Sequence, residues 1–223
     1  MTARIEHPVA SGAFQLDGGS WEVDNNVRLI GDDGEVLFVD AALPHDSDEL
    51  RPGGTPVADA IAAAVGERRP VAIVCTHAHN DHVNAAPELA RRTGAPILLH
   101  PADEVQWKAA HAPRTPGYRE LVGEEELTVA GVRLRVLHIP GHSPGVICLH
   151  APALDALCSG DTLFQGDPGA TGRSYSDFGT IVASVRDRLL TLPAETAVHT
   201  GHGATTSIGA EAPHLGAWIA RGH

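Results

Sequence analysis

The segment THAHNDH, residues 76–82, places His77, His79, Asp81 and His82 together directly after the apolar run VAIVC. Imidazole nitrogens and carboxylate oxygens, without thiolate, suit Zn and also Fe or Mn. Where a strand gives way to an irregular turn, His77 and His79, two positions apart, project to one side and can grip one ion. Asp81 and His82 follow where the chain turns toward a helix, and they point at a second position beside the first. One motif can thus found two metal sites, provided other segments bring more donors.

Such donors are present at His142 in IPGHSPG, Asp161 in CSGDTLF and His202 in HTGHG. Each follows a strand-like run and adjoins a glycine, which lets the backbone turn sharply and approach a ligand sphere closely. Taken singly, the Gly-His pairs are ordinary loop histidines, Asp81 a helix cap and Asp161 a turn acid. Taken jointly, the spacing of the first motif with three matching partners reads as a metal centre. Three or four protein ligands per ion leave a position open for water, the mark of a catalytic rather than a structural site. A divalent ion lowers the pKa of water from 15.7 to about 7, so the implied chemistry is hydrolysis. The expected cofactors are two divalent metal ions, zinc first and Fe or Mn as alternatives, with Asp81 and Asp161 as the carboxylates that hold the reacting geometry.

The elements needed to position these groups are legible around them. NVRLI and EVLFVDA flank GDDG, whose Asp33-Gly34 reads as the turn of a hairpin over 26–40. Thr55 as N-cap, Pro56 at the first helical position and Gly66 past the end bracket a helix VADAIAAAV. PVAIVCT reads as a buried strand, PELARRTG as a helix entered at Pro87 and left at Gly94, and APILLH as another strand. ELTVAGVRLRVLHIP, GVICLHA, ALCSGD and TAVHT supply further strands. DFGTIVASVRDRLLTL forms a helix with Ile181, Val182, Val185, Leu189 and Leu192 on one face, and IGAEAPHLGAWIARG closes as an amphipathic helix. Two β-rich halves, each carrying helices, give an α/β (α+β) fold, a four-layer αββα sandwich, expected as a single domain over 1–223.

Composition narrows the partners. Hydrophobic residues are 43 % and charged residues 20 %, near the soluble globular average, and no run approaches a membrane span. The net charge of −12 offers no footprint for nucleic acid or an anionic membrane. Cys75, Cys148 and Cys158 sit in separate apolar runs and read as reduced, buried thiols. The opening MTARIEHPVASGAF lacks the apolar block of a secretory signal, so a cytoplasmic enzyme is expected. The remaining histidines divide in two. His7, His45, His111, His150, His214 and His223 read as solvated or locally bonded. His100, His138 and His199 end strands and are candidates to brace the site, as is Asp40, which could orient a ligating histidine.

THAHNDH, PGHSPG, SGDTLF, the GR at 172–173 and GHG, in that order, resemble the landmarks of the metallo-β-lactamase superfamily, and within it the glyoxalase II (hydroxyacylglutathione hydrolase) branch. The resemblance runs from about residue 20 to 207. It implies that His77, His79 and His142 hold one metal and Asp81, His82 and His202 the other, with Asp161 bridging. It implies the αββα fold and hydrolysis of a small-molecule thioester. Little chain follows GHG, so the likeness is to short, single-domain glyoxalase II-like proteins lacking the helical glutathione-binding domain. GRSYSDF resembles actinobacterial members, whose main small thiol is mycothiol. Arg173 and Tyr175, after the bridging acid, are the candidate substrate-binding residues, Arg173 as a fork for a carboxylate. Alternatives in the same superfamily are a persulfide dioxygenase, whose single iron would use His77, His142 and Asp161, and a lactonase or β-lactamase-like hydrolase. Homo-oligomer formation stays open.

Overall fold

The computed structural model describes residues 2–41, 65–113, 115 and 117–222. The helix expected over 57–65 lies outside them, apart from Val65. The strands are β1 (Arg4–Glu6), β2 (Val9–Leu16), β3 (Gly19–Asn26), β4 (Arg28–Gly31), β5 (Glu35–Val39), β6 (Arg69–Val74), β7 (Ile97–Leu99), β8 (Arg119–Glu120), β9 (Glu126–Val129), β10 (Val132–His138), β11 (Ile147–Ala151), β12 (Ala156–Gly160), β13 (Ala197–Thr200) and β14 (Thr206–Ser207). They build two six-stranded sheets, ordered β1-β4-β5-β6-β7-β8 and β14-β13-β12-β11-β10-β9, while β2 and β3 pair as a separate hairpin.

Side-chain alternation along the strands generates the layers. In the first sheet Ile30, Leu37 and Val39 face the second sheet, where they meet Leu134, Val136, Ile147 and Leu149. Their neighbours Leu29, Val36 and Phe38 face the other way, onto a cluster with Leu89 and Trp107 from helices. In the second sheet Leu137, Cys148, Leu157 and Val198 turn outward onto Ile181, Val182, Val185 and Trp218. Three apolar seams between four layers are the αββα sandwich expected from the sequence. Each fully buried Leu, Ile or Phe in a seam contributes about 1.5–3 kcal/mol. Among the described residues no helix is long and apolar enough to cross a membrane.

The helices are α1 (Asn80–Val83), α2 (Ala86–Thr93), α3 (Glu104–Ala110), α4 (Phe178–Ser184), α5 (Ile208–Glu211) and α6 (Leu215–Arg221). Helix α2 starts with proline in its first turn and stops at Gly94 with φ 73°, as its sequence predicts. Two long helices expected from periodicity are interrupted. The first runs as α4 and then as a π turn over Val185–Leu189. Val185 and Leu189 are buried along it, while Arg186 and Asp187 stay exposed. The second breaks into α5, a 3₁₀ turn over Ala212–His214 and α6, because Pro213 has no N–H to continue the helix.

The turn between β4 and β5 differs from the expected Asp-Gly device. Asp32 closes it, its Oδ1 accepting from Gly34 N at 2.7 Å and Glu35 N at 2.9 Å. The Asp-Gly turn with both φ values positive is Asp17-Gly18, at 50° and 77°, which joins β2 to β3. That hairpin pairs Leu16 with Gly19 and Val9 with Asn26.

Candidate metal centre

Strand β6 ends buried at Val74, and residues 76–82 leave its C-terminal end as an irregular turn into α1. The other donors arrive in the same way: His142 after β10, Asp161 after β12 and His202 after β13. Sequence reasoning named seven residues, and the structure brings all seven together. His77, His79, Asp81, His82, His142 and Asp161 are buried, while His202 keeps 22 % side-chain exposure and opens the centre to solvent.

The nitrogens converge in two groups. His77 Nε2 and His142 Nε2 lie 3.0 and 3.1 Å from His79 Nδ1. His82 Nε2 lies 3.2 Å from His202 Nε2, and Asp81 Oδ2 is 3.5 and 3.4 Å from those two nitrogens. Asp161 stands between the groups, its Oδ2 3.6 Å from His142 Nε2 and 3.3 Å from His202 Nε2, its Oδ1 3.4 Å from His82 Nε2. Ligand atoms of His77, His79 and His142 lie within 4.8 Å of one another, as do those of His77, His82 and Asp161, and those of Asp81, His82 and His202.

The outer nitrogens explain why the inner ones point inward. His142 Nδ1 donates to Ala170 O at 2.8 Å, His202 Nδ1 to Asp24 O at 2.9 Å and His82 Nδ1 to Asp40 Oδ2 at 3.0 Å. Carbonyl and carboxylate oxygens only accept, so each Nδ1 carries a proton and each Nε2 is turned to the centre. His77 Nδ1 is held by Thr76 Oγ1 at 3.1 Å. Asp40 also accepts from Thr76 N at 2.7 Å and Thr76 Oγ1 at 2.8 Å, and adopts a left-handed φ of 52° to do so. An orienting carboxylate is one of the two roles, with a turn acid, that its place at the end of β5 allows, and the bond to His82 Nδ1 fits it.

Charge divides the two groups. Burial, and then the neighbouring imidazoles, hold His77 well below its usual range and His79 at about 3, so both are neutral ligands. Burial works against the charged form of His82 and His202 too. There the carboxylates win, Asp161 first, raising His82 and bringing His202 to about 10. Asp161 is held well below the carboxylate range, burial being outweighed by His82 and His202. The nitrogens of His77, His79 and His142 crowd together at 3.0–3.1 Å, and His82 and His202 hold protons against the buried carboxylates where a cation would take their place. Asp81 Oδ1 is buried with no hydrogen bond, a cost of about 1–3 kcal/mol that a metal ion would remove. The donor set therefore fits divalent ions, whose uptake would displace protons.

A family model described as "Metallo-beta-lactamase superfamily" matches residues 21–202. The chain belongs to that superfamily. It is 34 % identical over 151 residues to a Bacillus subtilis protein named "Probable metallo-hydrolase YqgX", covering 62 % of this chain and 71 % of that one. It is 32 % identical over 151 residues to the Haemophilus influenzae "Hydroxyacylglutathione hydrolase GloC", with the same coverage of 62 % and 71 %. Among solved structures, "TTHA1623 in a di-iron-bound form" superposes with a TM-score of 0.69 at 32 % identity, covering 85 % of this chain and 93 % of that one.

The remaining expectations fall unevenly. Arg173 lies with its guanidinium carbon 3.9 Å over the Trp21 ring, and Tyr175 is exposed with φ 70°. Ser174 donates from N and Oγ to Asp17, so this loop grips the tip of the β2–β3 hairpin. His138 Nε2 donates to Pro144 O at 2.8 Å, inside the PGHSPG turn, and stacks on His100 at 4.1 Å. His199 makes no contact with the ligating rings that would orient them; its Nδ1 is buried without a hydrogen bond. His7 is locally bonded, to Asn26 Oδ1 at 2.7 Å. His150, read as solvated or locally bonded, is instead buried in β11, and its Nδ1 has no hydrogen bond.

Two positioning groups escaped sequence reasoning. Asn25 Nδ2 donates to Asp81 O, and Asn26 N donates to Gly201 O at 2.8 Å, so the end of β3 holds the Asp81 and His202 turns. Asp103, fully buried, accepts from Ala78 N, Ser143 Oγ and Gly145 N. Consecutive asparagines before a strand, and an acid two residues after a proline that ends one, were the available signals. Neither names its partner.

Proposed function

We propose that the protein is a metal-dependent hydrolase that cleaves a thioester of a small thiol. The observation that carries this reading is the placement of Asp161 within 3.6 Å of imidazole nitrogens from both ligand groups, as a carboxylate shared by two ions requires. His77, His79 and His142 would hold one divalent ion and Asp81, His82 and His202 the other. When bound, such ions supply an activated water at neutral pH and polarise a carbonyl oxygen.

The chain's own residues do the rest. Asp40, Ala170 O and Asp24 O keep three imidazoles in the tautomer that faces inward. Asp81 and Asp161 fix the spacing of the two groups. His77 and His82 have no solvent exposure, so bulk water is kept from the floor of the centre. A thiol leaving group, with a pKa near 8.5, departs without a dedicated acid. Nucleophilic cysteine chemistry is disfavoured, since burial pushes Cys148 and Cys158 up to about 12 and Cys75 well above its usual value. Similarity to a hydroxyacylglutathione hydrolase supports the thioester class. Arg173 and Tyr175 would contact the thiol portion at the mouth. The free, buried cysteines suit a reducing compartment, the cytoplasm, and the −12 charge argues against nucleic acid or an anionic membrane as partner.

The test is a substrate panel of acyl thiols, lactones and a persulfide, with thiol release and oxygen uptake both followed. Thiol release from the esters is the expected result. Oxygen uptake with the persulfide, alongside inert acyl thiols, would replace this reading with the dioxygenase chemistry of His77, His142 and Asp161. Asp161→Asn is expected to lose one ion and most turnover.

A further inference from the structure

We infer that Asp103 is a positioning residue that sets the geometry of one metal site, the group His77, His79 and His142, by clamping two loops to one carboxylate. The inference rests on the reading of the cluster as a two-metal centre. Asp103 opens α3 from the 3₁₀ turn Pro101–Asp103 and has no solvent exposure. Its Oδ2 accepts from Ala78 N at 3.0 Å and Ser143 Oγ at 2.7 Å, and its Oδ1 accepts from Gly145 N at 2.6 Å. Ala78 lies between His77 and His79, and Ser143 follows His142. The clamp therefore joins the two turns whose imidazoles must meet within 4.8 Å. Gly145 fits because a Cβ there would come 2.7 Å from Asp103 Cγ. None of the three donors belongs to the Asp81, His82 and His202 group.

The chemistry of the clamp demands a carboxylate. Two of its three donors are backbone N–H groups, which cannot reverse their polarity, while the Ser143 hydroxyl can rotate. An asparagine at 103 has one oxygen and one NH₂. Whichever way it is turned, the NH₂ meets a backbone N–H, either of Gly145 or of Ala78. The substitution thus loses one bond and places two donors face to face, with no change in side-chain size. Ser143→Ala removes one of the three bonds and leaves both N–H contacts intact.

The experiment titrates metal-free protein with cobalt(II) and follows the d–d absorption bands, which report each site's coordination, with circular dichroism and thermal unfolding of the metal-free forms alongside. Disturbing a residue that orients ligands costs typically 10–100-fold in metal affinity. In Asp103→Asn one site is expected to weaken by that factor with altered bands, while the other keeps its wild-type affinity. Ser143→Ala is expected to weaken the same site by less. Wild-type affinity at both sites in a folded Asp103→Asn would overturn the inference. If that variant does not fold, Ser143→Ala decides, and an unchanged titration there overturns it. Wild-type protein that takes up no cobalt would instead sink the two-metal reading itself.

Discussion

Replacing Gly201 by alanine would set a methyl carbon 2.2 Å from Asp161 Oδ1, 2.9 Å from His82 Cε1 and 3.1 Å from the Gly160 carbonyl carbon. Gly201 is not among the residues with positive φ, so alanine adopts this backbone without strain and the effect is purely steric. Ordinary contact begins near 3.4 Å, so Asp161 or the His202 turn must retreat by about 1.2 Å. A functional constellation tolerates about 0.5 Å, and a displacement of about 1 Å costs on the order of 100-fold in rate, or about 2.8 kcal/mol. The expected result is a folded protein with weakened metal binding and turnover down about 100-fold. Gly203→Ala serves as the control. Its φ of 67° strains an alanine, but a Cβ there meets nothing within 4 Å. It should lose about 1 kcal/mol of stability and keep its metals. Metal content by elemental analysis, turnover and urea unfolding of the two variants settle the matter. Gly201→Ala with wild-type metal content and turnover would refute the reasoning that Asp161 and His202 must approach this closely.

Asp40→Ala should cost about 10–100-fold in affinity at the site that includes His82, read by cobalt titration, because the ring then loses the acceptor on its Nδ1. Unchanged affinity would deny Asp40 its orienting role. All three cysteines are buried, so a thiol reagent should modify none in native protein and all three in urea; one fast-reacting native thiol would contradict that burial. Burial, together with His138 for His100 and with Arg28 and His7 for His199, lowers these two histidines to about 4. Unfolded histidine titrates near 6.5, so between about 6.5 and 4 the unfolded chain binds more protons. Their contribution to stability is then fully present above about pH 6.5 and declines as pH falls toward 4. Urea midpoints across this range should drop on acidification, less steeply in His100→Gln; a midpoint rising toward pH 4 would contradict the sign.

The ligands were legible because coordination needs particular residue types at strand ends, and type and spacing are what a sequence records. The layered fold followed from alternation in EVLFV and VRLRVLH. The groups that hold the ligands were harder to read. Asp103 and Asn25 work across separations of 25 and 56 residues, to Ala78 and Asp81, and nothing local distinguishes them from turn residues. Asp40 was nameable because a strand delivers it beside the motif. The β2–β3 hairpin went unread although its Asp17-Gly18 turn has the expected signature, while Asp33-Gly34, chosen on the same grounds, is closed by the Asp32 side chain. Apolar period alone predicts two uninterrupted helices, because it carries no trace of a π turn and does not register the missing N–H of Pro213.

The most direct measurement is elemental analysis of the protein purified without added metal, before and after exhaustive chelation and after readdition of zinc, iron or manganese. About two ions per chain are expected, lost on chelation together with turnover, and both are expected to return on readdition. A chain that carries no ion, refuses the added metals and hydrolyses its substrate regardless would contradict that expectation.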